Sequence, residues 1–243
     1  MMTDQGGGRK VKRDIIDRLH SLGNPKQAQF LQRFFKTGPG EYGEGDIFVG
    51  IRVPTIRNLA KEYQNLSLSA TLRLLRSPIH EARLLALLIL VRNAQRADQP
   101  LQKQICDLYL KNTRFINNWD LVDLSAPHIV GPQIAQFGQA RLLTMAASPL
   151  LWDRRISILS TLYLIKKKEF AVPLKVTERL LQDPEDLIHK AVGWMLREVG
   201  KRDRPIEEAF LQQHYQKMPR TMLRYAIERF PEDLRQKYLK GKM

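Results

Sequence analysis

Two tryptophans, one carboxylate and several basic side chains are spaced so that helices would gather them on common faces. Trp119 lies four residues before Asp123, and Trp194 lies four residues after Lys190 and three before Arg197. Side chains three or four residues apart are neighbours on a helix. Large aromatic rings beside basic groups suit stacking against sugars and bases. The alternative, in which both tryptophans belong to the core, stays open at this point.

The helices that must position these side chains recur with a period. Pro149, Pro184 and Pro219 are 35 residues apart, and Pro78 lies 71 residues before Pro149. Proline suits the first turn of a helix, and Ser or Asp suits the N-cap before it; the predicted caps are Ser77, Ser148 and Asp183. A period of about 35–40 residues with two helices per unit is typical of HEAT repeats. We predict an all-α, HEAT-like helical-repeat solenoid with a concave basic groove.

A basic residue follows each proline by five or six positions, at Arg83, Arg155, Lys190 and Arg224. The repeat member expected near Asn117 carries Asp123 at this place instead. If the repeats stack in register, Asp123 and Arg155 converge with the two tryptophans on the concave surface. Arg83 and Arg224 have an equally good structural interpretation, since stacked repeats use arginines to bind neighbouring loops.

The domain organisation is simple. Residues 1–10 are polar and glycine-rich and predict a disordered tail, and residues 11–243 predict a single repeat domain. The segment Gly38–Asp46, followed by Ile47-Phe48-Val49, interrupts the helical pattern with four glycines and a proline. A short β-hairpin or an ordered loop near residues 38–50 fits this composition.

The charge of the chain points to a polyanionic partner. Lys and Arg exceed Asp and Glu by 40 to 25, which gives a net charge of +15 and an isoelectric point near 10.1. The excess is spread evenly, with 19 basic and 11 acidic residues up to Leu121 and 21 and 14 beyond it. Such a balance indicates nucleic acid. The alternative is that the charge serves solubility alone.

Several function classes are excluded by composition. No apolar run approaches the roughly 18 residues of a membrane span, and the single cysteine, Cys106, excludes a disulfide framework. The five histidines form no HxxxH or HExxH pair, so we expect no metal. The start of the chain lacks a secretory leader pattern, and we expect a cytoplasmic protein.

Three stretches carry a specific resemblance. Asn118-Trp119-Asp120-Leu121-Val122-Asp123, Trp152-Asp153-Arg154-Arg155 and Lys190–Glu198 resemble, in order and spacing, the signature stretches of the AlkD family of HEAT-like DNA glycosylases. The similarity runs from about residue 20 to residue 230 and includes Gly50-Ile51-Arg52-Val53-Pro54. In one departure from the pattern, Asn118 stands where the best-known members carry a second tryptophan.

This resemblance implies an enzyme that removes cationic alkylated purines, chiefly 3-methyladenine and 7-methylguanine, from duplex DNA. It implies a catalytic role for Asp123, Trp119 and Trp194, and DNA binding by Arg155, Arg197, Lys190, Arg52 and Arg154. It also implies double-stranded DNA as the partner, no cofactor, no membrane and a monomer. Because the alkylated base leaves as a neutral molecule, no general acid is required. A carboxylate that stabilises the oxocarbenium charge of the sugar and places a water would be sufficient.

Two alternatives remain at the level of sequence. An inserted hairpin at Gly38–Asp46 would resemble the AlkF branch of the family, which binds branched DNA and lacks glycosylase activity. Repeat architecture alone would also permit a solenoid that binds an acidic peptide. The presence of Asp123 beside Trp119 argues against the peptide, because a carboxylate in the groove repels acidic ligands.

Overall fold

The computed structural model describes the backbone from residue 4 and the side chains from residue 12 to the end of the chain at residue 243. The described residues form helices joined by turns, so the all-α prediction is confirmed. They divide into two compact units, Met1–Ser125 and Ala126–Met243. The helices of the first unit are α1 (Asp4–Leu22), α2 (Pro25–Phe34), α3 (Val53–Glu62), α4 (Leu68–Leu75), α5 (His80–Arg96), α6 (Gln99–Leu110) and α7 (Trp119–Asp123). Those of the second unit are α8 (Ala126–Ile129), α9 (Ile134–Ala146), α10 (Leu151–Ser160), α11 (Leu162–Lys166), α12 (Ala171–Leu180), α13 (Asp186–Gly200), α14 (Arg204–His214), α15 (Arg220–Ala226) and α16 (Glu232–Leu239).

Helix α5 is the centre of the first unit. Every residue from Leu84 to Val91 is buried, so the helix is apolar on all sides and must be surrounded by other elements. Helices α3, α4 and α6 pack against it, and the short helix α7 also contacts it. Helix α7 is therefore attached to a core whose central helix is α5.

Helix α13 has the same central place in the second unit. It packs against α10, α12, α14 and α15. Its buried residues include Val192, Met195, Leu196 and Val199, a spacing that is typical of an amphipathic helix. Trp194 and Arg197 are only partly buried and lie off this apolar face.

The structure corrects the predicted caps. Helices α5, α10 and α13 begin two residues after their prolines, so proline is not in the first turn. The side chains of Ser77, Ser148 and Asp183 accept hydrogen bonds from the backbone N–H two residues further on, at 3.2, 3.2 and 3.0 Å. These are ST and Asx turns rather than N-caps. The period therefore marks a recurring turn that leads into a helix.

The predicted hairpin near residues 38–50 does not form. The described residues of this segment contain turns and one isolated parallel bridge between Ile47 and Ile79. The backbone groups that a second strand would bind are taken by side chains. The Gln32 amide donates to the Asp46 carbonyl at 2.6 Å and accepts from Phe48 at 3.3 Å. The hairpin is therefore absent for a physical reason: side chains of α2 and α5 bind the backbone groups that a second strand would have bound.

Glu81 binds more backbone groups of this segment than Gln32 does. Its carboxylate is buried and accepts hydrogen bonds from the consecutive backbone N–H groups of Val49, Gly50 and Ile51, at 2.8–3.2 Å. Gly50 adopts a φ of +85°, and a Cβ on it would lie 2.2 Å from the Asn24 carbonyl oxygen. Helix α5 therefore holds the entry to α3 by one charged side chain, at a place where only glycine fits.

A buried polar cluster ties the same segment to α5 and α7. The His80 ring lies 3.1 Å from Asp46 through Nδ1 and 2.8 Å from Asp120 through Nε2. Arg83 lies 2.5 Å from Asp46 and donates to Asn117 at 2.6 Å. Two carboxylates thus face one guanidinium and one imidazole, a balance that lowers the cost of burying charge. This is the structural role that the sequence left open for Arg83.

The cluster sets the protonation of its members. Burial lowers the pKa of His80, but the Asp120 charge and the hydrogen bonds with Asp120 and Asp46 outweigh it and raise the pKa to about 9. Burial raises the pKa of Asp46, and the hydrogen bonds and charges of His80 and Arg83 outweigh it and lower that pKa. At neutral pH His80 is therefore an imidazolium that donates from both ring nitrogens.

The predicted tail is not tested. Residues 1–3 lie outside the described residues, as do the side chains up to residue 11, and the helical backbone of α1 begins at Asp4. The division into a tail over residues 1–10 and one domain over residues 11–243 stays a prediction.

Replacing Glu81 by Gln should lower the free energy of unfolding by about 1–3 kcal/mol. The amide keeps one acceptor oxygen but loses the charge that strengthens three backbone hydrogen bonds. Urea denaturation followed by circular dichroism measures the change. The control is Glu62→Gln, which alters an exposed glutamate at the end of α3. Equal stability of the two variants would contradict the role given to Glu81.

The pKa of His80 predicts a pH-dependent stability. The unfolded histidine titrates near pH 6.5 and the folded one near 9, so its contribution is complete below about pH 6.5 and is lost as the pH rises through 9. The free energy of unfolding should fall over this window by at most about 1.4 kcal/mol per pH unit. Urea denaturation between pH 6 and 10 should show a smaller fall for His80→Asn. The exposed His20→Asn should behave as wild type; identical profiles for all three proteins would refute the assignment.

Candidate functional site

The first unit holds Trp119 and Asp123 on a single turn of helix. Trp119 begins α7 and Asp123 ends it, and both side chains are partly buried. Asn118 caps the helix from a fully buried position, with its side-chain oxygen accepting from the Trp119 N–H at 2.8 Å. The prediction that Trp119 and Asp123 belong to one helix is confirmed. Their catalytic role stays a prediction.

A stack of rings fixes the face of Trp119 that points into the unit. The indole lies on Phe35 with 5.1 Å between ring centroids and 25° between ring planes. Phe35 in turn stacks on Phe48 at 5.1 Å and lies 5.3 Å from the His80 ring. The indole is therefore supported by the core on one side, while part of its surface stays accessible.

Sequence reasoning missed an aromatic surface beside Trp119. Phe34 meets the indole edge-on at 6.1 Å and stacks on Phe30 at 5.9 Å. The two phenylalanines are 53% and 55% exposed, and α2, which carries them, has no buried residue. Their spacing of four residues was the available signal. Two neighbouring exposed rings are unusual for a solvated helix, which makes this surface a candidate for binding a ligand.

The second unit holds Trp194 on α13, with its indole N–H donating to Glu198 at 3.3 Å. Glu198 also accepts from Lys201 at 2.6 Å and from Arg202 at 2.9 Å. Burial raises the pKa of Glu198, but these hydrogen bonds outweigh it and the pKa is lowered. An ionised carboxylate thus fixes the edge of the Trp194 ring. Trp194 is not a core residue, whereas Trp152, the third tryptophan, is buried.

Two of the predicted DNA-binding arginines are committed to the protein interior. Arg155 is 5% exposed and donates to the Leu187 carbonyl at the start of α13. Arg154 binds Asp183 through two nitrogens, at 2.6 and 3.3 Å, and donates to the carbonyls of Ser148 and Pro149 at 3.1 Å. Breaking such buried pairs is costly. These contacts join the repeats, and DNA binding by Arg154 and Arg155 stays a prediction.

The remaining predicted cations are more available. Lys190 is paired with Asp186 at 2.7 Å, and hydrogen bonding to Lys190 lowers the pKa of Asp186. Arg197 is paired with Glu228 on the turn after α15. Both acidic partners are more than half exposed, whereas the Arg197 side chain is only 16% exposed. Water screens the charge of an exposed carboxylate, so a phosphate could replace either acid with a small loss of stability. Arg52 is exposed at the N-terminus of α3.

The predicted set is thus divided between the two units. Trp119, Asp123 and Arg52 lie in the first unit, and the other five residues lie in the second. Within the second unit, α10 and α13 pack together and bring Arg155 to the start of the helix that carries Trp194. The convergence of all eight residues on one concave surface stays a prediction.

The described residues contain neither a metal-binding cluster nor a membrane-spanning helix. Among the described residues, no group of three or more His, Cys, Asp or Glu side chains is arranged to hold a metal ion. No helix in the described part of the chain is long and apolar enough to cross a membrane.

Comparison with known proteins gives three findings. The chain matches a solved structure titled "Predicted DNA alkylation repair enzyme from Enterococcus faecalis" with a TM-score of 0.67 and 20% identity, over 86% of this chain and 97% of that one, which shows a shared fold. No curated protein matches the chain. The sequence model of the family described as "DNA alkylation repair enzyme" matches residues 15–230. A match over so much of its length shows that the chain belongs to the DNA alkylation repair enzyme family.

Proposed function

We propose that this member of a DNA alkylation repair family is a DNA glycosylase, which hydrolyses the N-glycosidic bond of cationic alkylated purines in duplex DNA. The observation that carries the proposal is the pairing of Trp119 and Asp123 on the single turn α7, with the indole supported from behind by Phe35. Both side chains are only partly buried. The substrates we expect are 3-methyladenine and 7-methylguanine, as the resemblance to the AlkD family implies.

The chemistry suits the few groups that are present. Alkylation at N3 or N7 gives the purine a positive charge, so cleavage of the glycosidic bond releases a neutral base without a general acid. The sugar then carries the positive charge of an oxocarbenium ion. We assign Asp123 to stabilise this charge and to orient the attacking water, an electrostatic contribution of about 10²–10³ in rate. The reaction consumes water and needs no cofactor.

The tryptophans are assigned to the deoxyribose. The face of an indole attracts a positive charge, and the attraction grows as the oxocarbenium ion forms. Trp119 has the fixed ring that this task requires, because Phe35 lies against it, and Glu198 fixes the ring of Trp194. Differential binding of this kind lowers the barrier, whereas equal binding of substrate and transition state would not.

The partner is double-stranded DNA, bound by a monomer. Arg52, Lys190 and Arg197 are the best placed of the predicted cations to contact phosphates, since they are exposed or paired with exposed acids. The exposed rings of Phe30 and Phe34 extend the surface beside Trp119 and suit contact with sugar or base.

Two alternatives to this proposal were open. The inserted hairpin that would resemble the AlkF branch is absent from the described segment between residues 38 and 50, which forms turns held by side chains of α2 and α5. Binding of branched DNA without excision is therefore the second candidate, and the excision assay below distinguishes the two. The acidic-peptide interpretation is opposed by the family, which acts on DNA.

Asp123→Asn should reduce excision by at least about 10²-fold while duplex binding is unchanged or tighter. The amide keeps the shape of the side chain but cannot stabilise a cationic sugar, and it no longer repels phosphates. The measurement is the release of free methylpurine from methylated duplex DNA, with the dissociation constant for undamaged duplex determined in parallel. Asp17→Asn, at an exposed position on α1, is the control. Wild-type excision by Asp123→Asn would refute the assignment, and no excision by the wild type would refute the proposed function.

Binding to undamaged duplex should weaken steeply with salt. Each phosphate contact that releases a counterion adds about −0.9 to the slope of log affinity against log salt. Arg197→Gln should make the slope less negative by about one unit, because Arg197 can exchange an exposed glutamate for a phosphate. Arg154→Gln should leave the slope unchanged, since this arginine is bound to Asp183. A slope near zero for the wild type would contradict duplex DNA as the partner.

A further inference from the structure

The imidazole of His80 joins α7 to the core by a direct ion pair. Its Nε2 lies 2.8 Å from Asp120, the residue between Trp119 and the remainder of the helix, and its Nδ1 lies 3.1 Å from Asp46. Only 2% of the histidine is exposed. Because each ring nitrogen of the buried imidazole is bound to a different carboxylate, the orientation of the ring between Asp46 and Asp120 is fixed.

Helix α7 needs such a link because it is short. It has five residues, from Trp119 to Asp123, and an isolated turn of helix is unstable in water. Its direction must therefore be set by contacts outside the helix. Asp120 provides one of them from the first turn, where a carboxylate also interacts favourably with the helix dipole.

A second link runs from His80 to the Trp119 ring through stacked side chains. His80 lies 4.3 Å from Phe48 with the ring planes at 21°, and Phe35 contacts both of them. Trp119 lies on the far end of this stack, against Phe35. His80 thus contacts α7 by two routes, directly at the Asp120 carboxylate and through Phe35 at the Trp119 ring.

We infer that His80 is a positioning residue, which holds α7 in the one arrangement that presents Trp119 and Asp123 to the DNA. The inference rests on the proposed function for its catalytic consequence and on the geometry alone for its structural part. His80 itself touches no reacting atom. A misplacement of a catalytic group by about 1 Å can reduce a rate about 10²-fold, so a small tilt of α7 would be sufficient for a large effect.

Two substitutions separate the two hydrogen bonds of His80. In His80→Asn the amide nitrogen lies near the position of Nδ1, so the bond to Asp46 is kept and the bond to Asp120 is lost. In His80→Gln the longer side chain brings its nitrogen near the position of Nε2, so the bond to Asp120 is kept. A residue that served only the stability of the core would make these variants equally defective.

The experiment compares single-turnover excision of methylpurine with the dissociation constant for undamaged duplex. We expect excision by His80→Asn to fall about 10²-fold with a change in the dissociation constant below about threefold. We expect His80→Gln to stay within about tenfold of the wild-type rate. The exposed His20→Asn is the matched control and should behave as wild type. Equal loss in both His80 variants, or wild-type excision by His80→Asn, would overturn the inference.

A second readout keeps the inference testable independently of catalysis. The protein is labelled with 5-fluorotryptophan, and the ¹⁹F resonance of Trp119 is assigned by its absence in Trp119→Phe. This resonance should move in His80→Asn and stay in place in His80→Gln and His20→Asn; an unmoved resonance in His80→Asn would overturn the inference. If the wild type excises nothing, the proposed function fails, whereas the resonance still decides the structural part.

Asp120→Asn covers the case in which His80→Asn does not fold. It breaks the same link from the other side and leaves Asp46 with both His80 and Arg83. The Trp119 resonance should move and excision should fall as in His80→Asn. Unchanged excision and an unmoved resonance in Asp120→Asn would overturn the inference.

Discussion

The first unit depends on a buried balance of charge in which two carboxylates, Asp46 and Asp120, share one imidazolium and one guanidinium. Each carboxylate comes from a segment with little regular structure of its own, the turn-rich loop after α2 and the single turn α7. Both cations come from α5, the best-buried helix of the unit. Helix α5 thus holds both elements through charges, in addition to the apolar side chains that each of them buries, such as Phe48 in the loop and Leu121 and Val122 in α7.

The ion pairs inside the protein also determine which basic side chains are accessible to a ligand. The net charge of +15 suggests a surface covered with free basic groups, but several arginines are used inside the protein. Arg83, Arg154 and Arg155 join one repeat to the next through buried carboxylates and carbonyls. The cations that can serve DNA are those whose partners are exposed acids, since a phosphate replaces such partners with little loss.

Much of the fold could be predicted from the sequence, and the failures share a cause. The apolar spacing of α5 and α13 and the placement of Trp119 and Asp123 on one turn follow from local periodicity, which the fold preserves. Of the two structures predicted near residues 38–50, the ordered loop forms and the hairpin does not, because Gln32 and Glu81, which are distant in sequence from parts of the loop, bind its backbone groups. The link between His80 and Asp120 spans 40 residues, and no local pattern contains it.

Helix α2 combines exposed basic residues with exposed aromatic residues. Helix α2 carries Lys26 and Arg33 together with Phe30 and Phe34, and it contains no acidic residue. A helix without a buried face contributes little to the core, so its composition is not explained by packing. Its last aromatic residue touches Trp119, which places cations and rings together beside the proposed catalytic turn. On the proposed function, phosphates would be bound by the exposed charge at the edge, while the carboxylate proposed to act on the sugar lies on α7, which contacts the core. This separation resolves a conflict within the site, because a carboxylate that stabilises a cationic sugar also repels the phosphates that bring the sugar to it.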